Sequence, residues 1–230
     1  MFDLIKSIQA RDAAKPTFME VVLGYNGFHA VILHRASHWL WHIGLKALAR
    51  FVANIARAIT GVDIHPEALI GKRLFIDHGT GLVIGQTAIV GDDVTLYHGV
   101  TLGGVGQGAK TNGRRHPYIM DGVMVGASAQ ILGGITVGKG AKVGSSSVVL
   151  RDVPDGATVV GNPARIVNCP KDGRQDYAYG ITRELIDPLT ETIDGLVRDI
   201  EELKKKSGTV KKPSVKDGPD YAELWKGSGI

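Results

Sequence analysis

Two histidines in the middle of the chain have neighbours suited to proton transfer. His78 follows Asp77 directly and lies fifteen residues after Asp63, while His116 follows Arg115. Imidazole exchanges protons near neutral pH, and a carboxylate on its far nitrogen fixes the tautomer and stabilises the cation. His78 is therefore a candidate general base for transfer to an alcohol. A lone histidine is more often structural or solvated, so spacing alone does not assign this role to His78.

A second group of histidines, His34, His38 and His42, is spaced four residues apart near the N-terminus. On a helix this spacing places all three on one face, where imidazoles can bind a metal. No acidic residue or cysteine joins them at helical spacing, and a polar stripe on a packed helix explains them as well. We expect no metal site.

The elements that must position these residues come from a repeat. An aliphatic residue recurs every six positions, in three runs that cover Ile64–Ile76, Ile84–Leu102 and Ile119–Val149. A period of six fits neither a helix nor a two-faced strand. It fits coils of three short strands around a narrow aliphatic interior, stacked so that each coil supports the next. Three hexads make a coil of about eighteen residues, so Asp63 and His78 fall on adjacent coils.

The repeat divides the 230 residues into four parts. Residues 1–60 have helical periodicity, and residues 61–168 form the coils, which the glycine-rich, basic loop 104–117 interrupts. Residues 169–206 are a linker and an amphipathic heptad helix, which suits either a coiled-coil seam or packing against the coils. Residues 207–230 read as a flexible tail.

Composition bounds the class of protein. The chain is 43% hydrophobic and 22% charged, and its net charge of +4 comes without a long basic run. These values are typical of a soluble globular protein and argue against nucleic-acid binding. The single cysteine, Cys169, favours a reducing compartment. No signal peptide or membrane span is visible, so we expect a cytoplasmic protein.

Several motifs resemble one enzyme family. VDIHPEALIG at 62–71, FIDHGTGLVIG at 75–85, VTLGG at 100–104 and RRHP at 114–117 closely match serine O-acetyltransferases of cysteine biosynthesis. SHWLWHIGLKALARF at 37–51 and GNPARIV at 161–167 are also similar to that family. The resemblance implies a mainly β fold, a left-handed parallel β-helix with an N-terminal helical segment and a C-terminal helix and tail. It also implies direct transfer of acetyl from acetyl-CoA to L-serine, without a metal or an acyl-enzyme.

The resemblance assigns roles by position. His78 matches the general base, Asp63 its orienting carboxylate and His116 a second active-site histidine. The substrate-binding positions are Asp12, Asp77 and Arg115. The positions that match the acetyl-CoA groove are Gly104, Ala127, Lys142 and Ser145.

The resemblance also implies partners. The family places its catalytic residues at subunit clefts of a homotrimer, whereas a hexamer is in doubt because most of the larger N-terminal domain of the long bacterial form is lacking. The chain ends in Ile230, as does the family's tail that inserts into O-acetylserine sulfhydrylase. Capture of a C-terminal carboxylate is a known binding mode.

Three other functions compete with this interpretation. An acetyltransferase for a sugar or antibiotic hydroxyl would share the hexads and a catalytic histidine. A γ-type carbonic anhydrase uses the same coil, but this chain lacks that family's close histidine pair. A non-catalytic scaffold is disfavoured by the presence of Asp63, Asp77, His78 and Arg115.

Overall fold

The computed structural model describes residues 1–106, 114–168 and 195–203. The chain begins with four helices: α1 (Phe2–Arg11), α2 (Phe18–Gly24), α3 (Asn26–His42) and α4 (Lys46–Thr60). Residues 195–203 are also helical and form part of a separate unit. The rest of the predicted heptad helix and the predicted tail lie outside the described residues. No helix in the described ranges has the length and apolar character needed to cross a membrane.

Within the described ranges, fifteen short strands follow α4 and form three sheets. The first sheet contains β1 (Asp63–Ile64), β4 (Val83–Ile84), β7 (Thr101–Gly103), β10 (Gln130–Leu132) and β13 (Val148–Val149). The second contains β2 (Leu69–Ile70), β5 (Ile89–Val90), β8 (Tyr118–Ile119) and β11 (Thr136–Val137). The third contains β3 (Phe75–Ile76), β6 (Thr95–Leu96), β9 (Met124–Val125), β12 (Lys142–Val143), β14 (Thr158–Val160) and β15 (Arg165–Asn168).

Consecutive strands pass to the three sheets in turn, and each pairs in parallel with the strand one coil away. Asp63 pairs with Val83 and Val83 with Thr101, so this sheet advances by 20 and then 18 residues per coil. The pair Thr101–Gln130 brackets the interrupting loop. The predicted β-helix is therefore confirmed. Among the strands that the structure describes, only β14 and β15 pair antiparallel, and they lie at the end of the stack.

The hexad residues fill the interior of the coils as the period predicts. Ile84, Leu102 and Ile131, which follow one another in the first sheet, are at most 1% exposed. Aliphatic side chains of this kind contribute roughly 1.5–3 kcal/mol each when fully buried. An exception is Ile70, which is half-buried on the first coil.

Two contacts fix the helices against the coils. Gly27, in the first turn of α3, lies so close to β3 that an added methyl group would overlap the carbonyl of Ile76. The Arg11 guanidinium, at the end of α1, donates to the Asp93 carbonyl at 2.7 Å and to the Thr95 hydroxyl at 3.1 Å. The first contact holds the beginning of α3 beside the end of β3, and the second holds the end of α1 beside the beginning of β6.

Candidate active site

A cleft of about 500 Å³ opens between the end of α1, the junction of α2 and α3, and the end of β3. Asp12, Tyr25, Asp77, His78 and Tyr97 line it. We call it the α1–β3 cleft. The structure thus brings together three of the predicted site residues from two distant parts of the chain.

His78 stands at the corner after β3, in the left-handed region with φ of 57°. Non-glycine residues at other turns between strands have a φ of 57–60° as well, so this conformation belongs to the geometry of the coils. The His78 side chain is 68% exposed, with Nε2 3.9 Å from Asp77 Oδ1. His98, one coil further on, meets the His78 ring edge to face at 5.8 Å. The imidazole is therefore open to a substrate and has an acidic neighbour.

Two carboxylates face each other across this cleft. Burial raises the pKa of the Asp77 carboxyl, the charge of His78 opposes this, and the charge of Asp12 adds to it. Asp12 accepts hydrogen bonds from the Ala14 amide at 2.7 Å and from the Tyr25 hydroxyl at 2.6 Å. A pair of neighbouring carboxylates attracts a cation, because a cation offsets their mutual repulsion.

His116 belongs to a second cluster, before β8. Its Nδ1 accepts from the Thr87 amide at 3.1 Å, and the Thr87 hydroxyl lies 2.9 Å from the same nitrogen. A neutral His116 therefore carries its proton on Nε2. Burial, and then the charge of Arg115, lowers the pKa of His116, so the neutral form dominates at pH 7.

Gly85 is required at this second cluster. The His116 ring lies directly on Gly85, where an added Cβ would overlap it. The Thr87 hydroxyl also accepts from the amides of Arg115 and His116, at 3.2 Å each. Gly85 and Thr87 together fix the end of the interrupting loop against the coils.

The two clusters occupy different corners of the β-helix. His78 follows the third sheet, whereas His116 precedes the second, and the first sheet lies between these corners. Asp63 lies in that first sheet, near His65. Burial lowers the pKa of His65, and the charge of Asp63 partly opposes this. Within the part of the chain that the structure describes, no hydrogen bond joins Asp63 to His78.

The predicted acetyl-CoA positions are distributed over both corners. Strand register aligns His78, His98, Ala127 and Ser145 on successive coils, and the Ser146 amide donates to the Ala127 carbonyl at 2.8 Å. Adjacent strands are about 4.8 Å apart, so this column forms a continuous edge that leads away from His78. Lys142 lies on strand β12 instead. Gly104 lies at the other corner, where an added Cβ would be 3.2 Å from His116 Nε2.

Sequence reasoning missed four residues of these clusters: Tyr25, Gly85, Thr87 and His98. Tyr25 contacts Asp12, 13 residues away, and Thr87 contacts His116, 29 residues away. No local sequence motif indicates such distant contacts. Gly85 follows the hexad residue Ile84, and nothing in the adjacent sequence indicates its contact with His116. The coil period does place His98 over His78, and that signal was available.

His38 and His42, two of the three α3 histidines, have side-chain hydrogen-bonding partners. His38 Nδ1 lies 2.7 Å from the Pro66 carbonyl, and His42 Nε2 lies 3.0 Å from His38 Nε2. The first of these contacts joins α3 to the first turn of the β-helix. Among the described residues, no group of three or more histidine, cysteine or acidic side chains has an arrangement suited to a metal ion.

Comparison with known proteins identifies the class of protein to which this architecture belongs. The family described as bacterial transferase hexapeptide (six repeats) matches residues 116–151. The serine acetyltransferase of Bacillus pumilus is 46% identical over 200 residues, which are 87% of this chain and 90% of that protein. The coils and the exposed histidine thus define a hexapeptide-repeat transferase.

Solved structures narrow the class. The serine acetyltransferase of Brucella abortus in complex with coenzyme A is 48% identical, with a TM-score of 0.67, over 71% of this chain and 64% of that one. The serine complex of the Neisseria gonorrhoeae serine acetyltransferase is also 48% identical, with a TM-score of 0.67, over 71% of this chain and 66% of that one. The chain belongs to the serine acetyltransferase family, whose members have the left-handed β-helix.

Proposed function

We propose that this acyltransferase moves acetyl from acetyl-CoA directly to the L-serine hydroxyl, with His78 as general base. The observation that carries the proposal is the exposed His78 imidazole beside two carboxylates at the open α1–β3 cleft. His78 takes the hydroxyl proton while the serine oxygen attacks the thioester carbon. The carbon–sulfur bond then breaks, and the imidazolium returns the proton to the leaving thiolate.

The charges of the two clusters suit the other groups of serine. Asp12 and Asp77 bind the ammonium group, since their carboxylates face one space. Arg115 binds the serine carboxylate, a pairing that suits the planar guanidinium. His116, neutral with a proton on Nε2, donates a hydrogen bond near the reacting atoms. Holding both ends of serine turns a bimolecular encounter into an oriented reaction.

Asp63 orients the imidazole of His78 in the complex with substrates. In the free chain the charge of Asp63 acts on His65, and no hydrogen bond to His78 is present among the described residues. The motif resemblance is therefore what supports this role for Asp63. Catalytic hydrogen bonds often tighten only when substrates bind. Asp63→Asn should therefore lower kcat for serine while leaving the KM for acetyl-CoA near that of wild type. An unchanged kcat would remove Asp63 from the mechanism.

Acetyl-CoA lies along the column that runs from His78 past His98, Ala127 and Ser145, with Lys142 and Gly104 as further contacts. The column supports this placement because it presents backbone groups in line with the base. The thioester would stand at the His78 end, and the longer part of the cofactor would extend toward the last coils. The solved relative bound to coenzyme A supports the choice of cofactor.

The complete site forms between copies of the chain in a homotrimer. His78 and His116 occupy different corners, so a neighbouring copy brings Arg115 and His116 to the α1–β3 cleft. The outward face of α4 supports association, because it exposes Leu48, Phe51 and Ile59 by 46%, 61% and 67%. An exposed apolar surface of this kind marks an interaction site.

Two further assignments follow from the resemblance and from composition. The enzyme acts in the cytoplasm, as its single cysteine favours, and its C-terminal Ile230 binds O-acetylserine sulfhydrylase. Ile230 lies outside the described residues. Deletion of Ile230 should abolish capture of the sulfhydrylase without slowing acetyl transfer; retained capture would refute the contact.

The test of the acceptor is acetyl-CoA-dependent thiol release with L-serine, homoserine, a galactoside and no acceptor. Serine should be turned over with the highest kcat/KM. Turnover of the galactoside without turnover of serine would leave the fold unchanged and show the acceptor assignment to be wrong.

A further inference from the structure

We infer that Tyr25 is a positioning residue for the serine ammonium group, acting through Asp12. The inference rests on the proposed function, in which Asp12 and Asp77 bind that group. Tyr25 has no role in the proton transfer. Its hydroxyl instead determines how one of the two carboxylates is presented to the substrate.

The geometry around Tyr25 supports this role. Tyr25 lies between α2 and α3, as the C-cap of the first helix and the N-cap of the second. Its ring packs against the core cluster, and its hydroxyl donates to Asp12 Oδ2 at 2.6 Å. Tyr25 also lines the α1–β3 cleft. The hydroxyl is therefore held by a fixed ring at the edge of the substrate site.

Asp12 is otherwise weakly constrained. It is the C-cap of α1 and has extended backbone geometry. Its Oδ1 accepts from the Ala14 amide at 2.7 Å, so Tyr25 supplies the second of the two hydrogen bonds that fix the plane of the carboxylate. Arg11, the preceding residue, fixes the backbone through the Asp93 carbonyl and the Thr95 hydroxyl.

Electrostatics make this second hydrogen bond important. Burial raises the pKa of Asp77, and the charge of Asp12 adds to this rise, so the two carboxylates repel each other. The Tyr25 hydroxyl thus holds Asp12 in one orientation despite the nearby negative charge. A site arranged in advance binds its ligand more tightly, because less ordering is required on binding.

Tyr25→Phe removes the hydroxyl and keeps the ring, which makes it the test variant. Three measurements separate the amine site from the rest: the KM for serine, competitive inhibition by glycine, and competitive inhibition by 3-hydroxypropanoate. Glycine keeps the ammonium group, and 3-hydroxypropanoate keeps the hydroxyl and carboxylate but lacks the amine. We expect the serine KM and the glycine inhibition constant to rise about fivefold to tenfold, which lies within the range for loss of one ordinary hydrogen bond. Inhibition by 3-hydroxypropanoate and the KM for acetyl-CoA should stay within about twofold of wild type.

A double-mutant cycle with Asp12→Ala shows whether Tyr25 acts through Asp12. In the Asp12→Ala background, Tyr25→Phe should have no further effect on glycine inhibition. Tyr118→Phe makes the same chemical change on strand β8, away from Asp12, and is the control. Thermal unfolding of each variant checks that the helices remain in place.

Three outcomes would overturn the inference. Equal weakening of glycine and 3-hydroxypropanoate would indicate a general disturbance of the cleft. A further loss in the Asp12→Ala background would mean that Tyr25 acts independently of Asp12. Unchanged inhibition by glycine would leave Tyr25 as a packing residue. Failure of the proposed function is distinguishable, since the wild-type enzyme would then show no turnover of serine.

Discussion

At the scale of single residues, three side chains with a proposed role lie next to a residue that can position them. His78 has Asp77, His116 has Thr87, and Asp12 has Tyr25. The sequence predicts these candidate chemical residues because several of them stand within contiguous motifs such as IDHGTG and RRHP. Thr87 was not predictable, since its contact with His116 depends on how a long loop rejoins the coils.

The buried His34 should make the stability of the fold depend on pH. It is 4% exposed, and its Nδ1 has no hydrogen-bond partner within the described residues. Burial, and then the charge of His38, lowers the pKa of His34 to about 4, although a hydrogen bond with the Ala68 backbone opposes this. An unfolded histidine titrates near 6.5, so protonation favours unfolding. Stability should be fully present above about pH 6.5 and decline by up to about 3 kcal/mol as the pH falls toward 4.

Urea unfolding between pH 7.5 and 4.5 measures this decline. His34→Leu should flatten it, because no buried imidazole remains to be protonated. The matched control is His42→Leu, whose parent ring is exposed on the same helix, and the slope should survive that substitution. An equal slope in wild type and His34→Leu would contradict the assignment.

At the scale of elements, the hexad period determines the coils, and the coils place the corners. The period predicted the buried residues well, because every coil must fill the same narrow interior. It did not predict how the helices dock, since helix docking depends on close approaches between distant parts of the chain. Gly27 is such a point, where α3 meets β3.

Gly27→Ala tests the docking of α3. The added methyl would overlap the Ile76 carbonyl, and overpacking of this kind costs about 1–3 kcal/mol. Because Ile76 precedes Asp77 and His78, kcat/KM for serine should also fall. Gly24→Ala is the control for stability, as its methyl would meet nothing within 4 Å. Equal unfolding midpoints for the two variants would show that α3 does not depend on this approach.

At the scale of the whole molecule, the separation of the His78 and His116 corners is the feature with the widest consequence. The sequence does not indicate which corner His78 and His116 each occupy. The loop 104–117 interrupts the hexads before His116, so the strand register beyond it cannot be read from the period. The β-helix puts the first sheet between them. A site shared between copies reconciles this separation with one reaction.

Subunit mixing tests the shared site. His78→Ala and Arg115→Ala should each be nearly inactive alone. Co-expressed in equal amounts, they should recover about a quarter of the wild-type activity, because in a random closed ring about one interface in four has both native residues. If the mixed enzyme stays inactive, both residues must come from the same chain.

The role of His78 as general base is tested most directly by kcat/KM for serine in wild type and His78→Ala, measured through acetyl-CoA-dependent thiol release. The substitution should lower kcat/KM by about a hundredfold or more, in the range expected for a general base. The KM for acetyl-CoA should change little. A His78→Ala enzyme that acetylates serine within about tenfold of the wild-type rate would contradict this role.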